Sequence, residues 1–205
     1  MEDVTLIKAC QQGDLEAFEQ LVKRYEHTTI KTAYLITRNR ELAKDIVQEV
    51  FIQCYTQIHS LRQPEYFRTW LYRILVRLSS RALQRERWKS IFSLQKSNID
   101  WGYDPKIVEE VENKETYNAL YDSVNALREK FRVVIILYYF NEMTTKEIAN
   151  ILSISDGTVK SRLHKARNQI HKSLTSKGIE HSIVSMEGGS SNVGDILKKN
   201  AERTS

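Results

Sequence analysis

From residue 4 to about residue 175, apolar residues recur every third or fourth position with polar residues between them. That spacing is the period of a helix with one buried face. It predicts a helical stretch over 4–35, interrupted near Gly13-Asp14, with Leu15, Phe18, Leu21, Val22, Tyr25 and Ala33 on its inner side. A second helix is expected over 40–58, with Leu42, Ile46, Val47, Val50, Phe51, Cys54, Tyr55 and Ile58 inward. A third is expected to begin at Pro64, a good first-turn residue, and to bury Phe67, Trp70, Leu71, Ile74 and Leu78. The pattern fades over 91–115, where Gly102, Pro105 and the run EEVENKE read as a linker with some helix after Pro105. It resumes with Tyr117, Leu120, Tyr121, Val124 and Leu127, and then with Phe131, Val134, Ile135 and Tyr138. Thr144 and Thr145 are capping residues for a short helix over 146–152, and a last helix is expected over 156–174. The segment 176–205 is poor in apolar residues and is expected to be mobile, with a short helix near Leu197.

No strict apolar/polar alternation bounded by turn residues is present, and the chain holds 7 Gly and 2 Pro, so a sheet is not expected. The fold class is all-α: two small helical domains, 1–90 and 116–175, joined by a linker at 91–115 and followed by a tail at 176–205. No internal repeat is evident.

Charge sharpens this picture. Residues 1–90 carry 15 Lys/Arg against 11 Asp/Glu, residues 91–115 carry 3 against 6, and residues 116–175 carry 9 against 5. Two basic blocks therefore flank an acidic segment, which directs attention to anionic partners. Cys10 and Cys54 have no metal spacing and are too few for a disulfide framework, so reduced thiols in a cytoplasmic protein are expected. The N-terminus does not have the form of a signal peptide, and no run of about 18 apolar residues is present.

The stretch ILSISDGTVKSRLHKAR (151–167) carries the clearest pattern. On a helix, Val159, Leu163, Ala166 and Ile170 fall on one line, facing Ile148, Ala149 and Leu152 of the short helix before it. Ile154 fills the corner, and Ser155 is a good N-cap. Ser161, His164, Lys165 and Asn168 lie opposite, with Lys160, Arg162 and Arg167 on the flanks. Gly157 removes a side chain where backbone can approach a phosphate. A short helix, a tight turn and a second helix with a basic outer face form the helix-turn-helix pattern, whose second helix suits a major groove. A surface helix hairpin with solvated charges is the alternative reading.

A second basic face lies on the third helix. Arg73, Arg77, Arg81 and Arg85 are spaced by four and form a ridge, with Arg62, Arg68, Arg87 and Lys89 nearby. Like charges at this spacing destabilise a helix by about 0.2–0.5 kcal/mol per pair, which a phosphate backbone would offset. Phe67 and Trp70 share the face with Ile74 and suit the core; Tyr66, Tyr72 and Trp88 are expected to be freer and able to stack on unpaired bases. A solvated face is again the alternative. On the outer side of the second helix Ile52 stands among Glu41, Asp45, Gln48 and Glu49, a composition that fits a protein partner with a basic rim and an apolar centre. Asp45 and Glu49 form an i,i+4 carboxylate pair, but no His or Cys joins them at useful spacing. No nucleophile elbow, phosphate loop or HExxH motif is present, so neither catalysis nor a cofactor is expected.

DIVQEVF (45–51), FRTWLYRI (67–74) and EIANILSISDGTVKSRLHKAR (147–167) resemble, in order and spacing, the extracytoplasmic-function class of bacterial sigma factors. The resemblance spans about residues 4–175. It implies a subunit that binds core RNA polymerase, recognises the −35 and −10 promoter elements and initiates transcription. It implies that Asp45, Gln48, Glu49 and Ile52 dock on a coiled coil of the large polymerase subunit. The third helix and the loop before it would hold the −10 element as a single strand, through Arg62, Tyr66, Trp70, Arg73, Arg77, Arg81 and Arg85. In the helix-turn-helix, Lys160, Ser161 and His164 would face −35 bases, with Gly157, Arg162, Lys165 and Arg167 nearer phosphates. The linker would thread toward the polymerase active site, and an anti-sigma factor, often membrane-bound in this family, would be a further partner. The chain departs from the family pattern in three places: Arg77 stands where Asn is common, Ser153 where the turn has Gly, and Arg128 where Pro often follows Leu. The rival readings are a conventional helix-turn-helix regulator that binds duplex DNA alone, a decoy that sequesters an anti-sigma factor, and a metal-dependent nuclease using Asp45 and Glu49.

Overall fold

In the computed structural model, residues 2–92 and 114–179 are described, and no strand occurs among them. The expectations for the linker core and for a helix near Leu197 lie outside those residues. The chain divides into two compact units, Met1–Gly102 and Tyr103–Ser205.

The first unit contains α1 (Glu2–Gln11), α2 (Leu15–Thr37), α3 (Arg40–Gln57) and α4 (Phe67–Phe92). Gly13, at φ +92°, closes α1, and Asp14 caps α2 by accepting the Ala17 N–H at 3.0 Å. The helix α1 buries Ile7 and Cys10. Its Asp3 carboxylate accepts the Tyr25 hydroxyl at 2.6 Å and pairs with Arg24. At its other end the Gln11 amide donates to the carbonyls of Ile58 and Leu61, at 3.0 and 2.7 Å, which pins the turn after α3.

From Thr29 to Thr37 most of α2 is buried although the stretch reads TIKTAYLIT. Thr29, Thr32 and Thr37 are inside, and each hydroxyl donates to the carbonyl four residues back, at 2.7, 2.7 and 2.8 Å. This local bond removes the penalty of burying a hydroxyl and makes threonine a core residue here. Leu15, expected inside, lies at the helix start and is 60% exposed.

Ala43, Ile46, Val47, Val50, Phe51 and Cys54 form the buried face of α3. Tyr55 leaves that face: it is 50% exposed, and its ring meets Phe18 edge-on at 5.1 Å. Pro64 opens a 3-10 turn, Pro64–Tyr66, rather than α4 itself. The helix α4 packs against both α2 and α3, so its buried sector is wider than one stripe. Tyr72, expected to be free, is therefore inside at 1% exposure, beside Leu71, Leu75 and Val76.

The second unit contains α5 (Lys114–Ala126), α6 (Glu129–Ile135), α7 (Thr145–Leu152) and α8 (Asp156–Ser176). Every side chain of Phe131–Ile135 is buried. The buried run then widens into a π turn at Ile136–Phe140, closed by the Asn141 N–H on the Ile136 carbonyl at 3.1 Å. The extra residue in that turn lets Ile136, Leu137, Tyr139 and Phe140 all stay inside. Arg132 is buried with them, and its Nη1 donates to the Leu127 carbonyl at 3.0 Å and the Asn125 carbonyl at 3.4 Å. A cation thus meets carbonyls left open at the end of α5. Arg128 has φ −59°, a value proline also takes, which explains how it stands where the family often has Pro.

A capping box of Thr144 and Glu147 starts α7. Ser153 ends it in the left-handed region at φ 53° and ψ 46°, and Ser155 caps α8 through the Thr158 N–H at 3.1 Å. Val159, Leu163, Ala166 and Ile170 are buried along α8, as the spacing predicts. On α7 the buried set is Ile148, Ala149 and Ile151, with Leu152 half-exposed. Arg167 turns inward: its Nε donates to the Tyr139 hydroxyl at 2.8 Å, and its guanidinium lies 5.6 and 5.5 Å from the Tyr138 and Tyr139 ring centres.

Two stability outcomes follow from these contacts. Ser153→Gly removes the Cβ penalty of the left-handed turn and should stabilise the second unit by about 1 kcal/mol, while Ser153→Val should destabilise it. Arg167→Ala should destabilise the unit by about 1–2 kcal/mol through the lost hydrogen bond and ring contacts. Lys165→Ala, equal in charge change but exposed, should shift stability by less than about 0.5 kcal/mol. Urea unfolding followed by circular dichroism measures all four.

Candidate functional site

The basic outer side of α8 is built by what its inner side must bury. With Val159, Leu163, Ala166 and Ile170 committed to the core, Lys160, Ser161, His164 and Lys165 are exposed, and Arg162 is half-buried at the edge. Gly157 is exposed at the helix start, and a Cβ added there would meet nothing nearer than Ser155 Oγ at 4.0 Å. The protein itself thus has room for a side chain at 157.

Two of these side chains already have partners. Lys160 Nζ pairs with Asp156 Oδ2 at 2.7 Å, four residues earlier. Hydrogen bonds from Lys160 and Thr145 hold the Asp156 carboxyl below the ordinary carboxylate range. His164 Nε2 lies 3.1 Å from Asn168 Nδ2. Such surface contacts are weak in water and give way readily to a phosphate. Arg167 is the exception, since the tyrosines hold it against the domain.

Lys130 is a member of this face that the linear pattern did not reveal. With Phe131 it lines one side of a shallow groove whose other side is Ser155, Gly157, Thr158, Ser161, Arg162 and Lys165. It sits in the first turn of α6, where a cation opposes the helix dipole. That unfavourable placement is the sequence signal that would have found it.

On the first unit, Asp45, Gln48, Glu49 and Ile52 are all exposed and share one face of α3. Ile52 is 51% exposed at the end of that acidic row, and Tyr55 continues the apolar surface one turn further. Among the described residues no three His, Cys, Asp or Glu side chains converge around Asp45 or elsewhere.

The structure also brings the arginines together. Arg73, Arg77, Arg81 and Arg85 are exposed along α4, with Arg62 and Tyr66 exposed just before it. Trp88 is exposed near its end, whereas Trp70 is half-buried with its ring centre 6.0 Å from that of Phe67. Tyr72 is absent from this surface, so the exposed aromatics on it are Tyr66 and Trp88. Arg77 Nη2 reaches across to α3 and donates to Gln53 Oε1 at 2.8 Å.

Comparison with known proteins gives these faces a context. Residues 21–89 match the family model of sigma-70 region 2, and residues 117–170 match that of sigma-70 region 4. The chain is 34% identical to the ECF RNA polymerase sigma-E factor of Haemophilus influenzae, covering 85% of this chain and 96% of that one. It is 31% identical to the ECF RNA polymerase sigma factor SigW of Bacillus subtilis, covering 82% and 94%. Among solved structures, CnrH in complex with the cytosolic domain of CnrY has the same fold, with a TM-score of 0.63, 22% identity, and 86% of this chain and 99% of that chain covered. The sigma factor RpoE from Bartonella quintana, in complex with the anti-sigma factor NepR, follows at a TM-score of 0.59 and 20% identity, covering 77% and 96%. The acidic-apolar helix, the arginine ridge and the basic helix-turn-helix therefore stand on a chain that belongs to the ECF sigma factors of bacterial RNA polymerase.

Proposed function

We propose that the three exposed faces divide the work of a promoter-recognising sigma factor. The outer face of α3, with Asp45, Gln48, Glu49 and Ile52, docks on core RNA polymerase. The ridge Arg73, Arg77, Arg81 and Arg85, with Arg62, Tyr66 and Trp70, holds the −10 element as a melted strand. Lys160, Ser161 and His164 read −35 bases in the major groove, while Gly157, Arg162 and Lys165 approach phosphates. Arg167 acts on that surface mainly by bracing α8. On this reading residues 1–90 and 116–175 are the two working domains. Each binds weakly alone, and joining them on one polymerase makes the second contact effectively intramolecular.

The observation that carries this reading over a conventional regulator is Ile52. Ile52 and Tyr55, each about half exposed, form an apolar patch at the end of an acidic row, a surface that duplex DNA binding alone does not call for. A polymerase surface with a basic rim and an apolar centre does. No helix among the described residues is long and apolar enough to cross a membrane, and the site of action is the cytoplasm, with the polymerase. Two relatives of the same fold are known in complex with partner proteins, CnrY and the anti-sigma factor NepR. An anti-sigma factor that covers the faces of α3 and α8 is the matching regulator here, membrane-bound if it follows the common family form.

Binding of the purified chain to bacterial core RNA polymerase, without DNA, tests the assignment. The wild type should bind, and Asp45→Arg/Ile52→Asp should weaken binding at least about 100-fold while keeping its helical spectrum. No binding by either protein, with tight binding to duplex DNA, would instead make the chain a conventional regulator.

A further inference from the structure

The link between α3 and α4 is more than a packing detail. Gln53 follows Glu49 by one helical turn, and its Nε2 donates to Glu49 Oε1 at 2.8 Å. Its Oε1 accepts from Arg77 Nη2, also at 2.8 Å. Only one orientation of the amide makes both bonds. A primary amide suits this place, since it donates to an anion and accepts from a cation at once. A carboxylate at 53 would repel Glu49, and an ammonium would repel Arg77. Both hydrogen bonds are exposed, so they add little to stability. Their effect is on direction: an arginine on a solvent-facing ridge is held in one orientation.

That orientation leaves a usable edge. Nη2 carries two hydrogens, one in each two-donor edge of the guanidinium fork. Giving one to Gln53 leaves the other edge whole, with two parallel donors. Two parallel donors match two adjacent acceptors on a base. Guanine offers them at O6 and N7, and cytosine, once unpaired, offers them at N3 and O2. Adenine and thymine offer no such pair: adenine N1 and N7 each lie beside the N6 amino donor and its N3 stands alone, and the N3–H donor of thymine separates O2 from O4. We propose that Gln53, anchored by Glu49, is a positioning residue that fixes Arg77 as a two-donor reader of an unpaired guanine or cytosine in the promoter strand held by the α4 ridge. The inference rests on the ridge being the single-strand face.

Transcription in vitro tests it, using holoenzyme made from core polymerase and the full chain on a library of random duplex templates whose transcribed members are sequenced. The wild type should favour guanine or cytosine over adenine and thymine about tenfold at one position of the melted element, and the library shows which of the two bases it is. Arg77→Ala should abolish that preference. Gln53→Leu should reduce it about two- to tenfold, the cost of ordering one long side chain again on binding, with preferences elsewhere in the promoter unchanged. Gln53→Glu, which keeps the acceptor for Arg77 but loses the bond to Glu49, should retain more of it than Gln53→Leu. A preference that survives Gln53→Leu intact would overturn the positioning role, and a wild type with no Arg77-dependent preference for these bases would overturn the base assignment. Failure of the wild type to transcribe any template would overturn the sigma reading itself, and this inference with it.

Discussion

Each helix in these small units has one face to give to a core, and that constraint fixes where the functional groups stand. On α8 the core takes Val159, Leu163, Ala166 and Ile170; what remains on the outside is Lys160, Ser161, His164 and Lys165. On α3 it takes Ala43, Ile46, Val47, Val50 and Cys54, and Asp45, Gln48, Glu49 and Ile52 are left facing outward. A unit of this size has too little interior to bury a charged row. The proposed binding faces are therefore consequences of packing.

The exposed groups are not idle in the free protein. Lys160 is paired with Asp156, His164 lies against Asn168, and Arg77 is bonded to Gln53. The first two contacts are weak enough to exchange for phosphates or base edges, while the bond to Gln53 leaves one two-donor edge of Arg77 open. Arg167 shows the opposite choice. Its hydrogen bond to Tyr139 and its position over two rings tie the recognition helix to the buried run of α6 and the π turn.

Much of this was legible in the linear pattern. Helical period located the helices, Ser155 and Thr144 behaved as caps, and the buried line of α8 was as spaced. Period alone assumes one buried stripe per helix, and the misplaced residues are those where the assumption fails. Tyr72 is inside because α4 is covered by two neighbours, whereas Leu15 at the start of α2 and Tyr55 near the end of α3 are at least half exposed, Tyr55 meeting the ring of Phe18 edge-on. The threonines of α2 were hidden for another reason: their burial depends on hydroxyls bonding back within the helix, which polarity scales do not register. Lys130 and Gln53 join their sites through space from other helices, so a motif confined to one helix could not include them.

On the proposed function, this chain gains sequence-specific DNA binding from its place on the polymerase rather than from either unit alone. The most direct measurement is the affinity for a selected promoter duplex and for a scrambled duplex across a salt series, for the chain alone and for the chain with core polymerase. The chain alone should bind both weakly and lose both steeply with salt, as phosphate contacts do. With core polymerase it should hold the promoter at salt concentrations that release the scrambled DNA. Tight, salt-resistant, promoter-specific binding by the chain alone, unchanged by core polymerase, would contradict the proposed function.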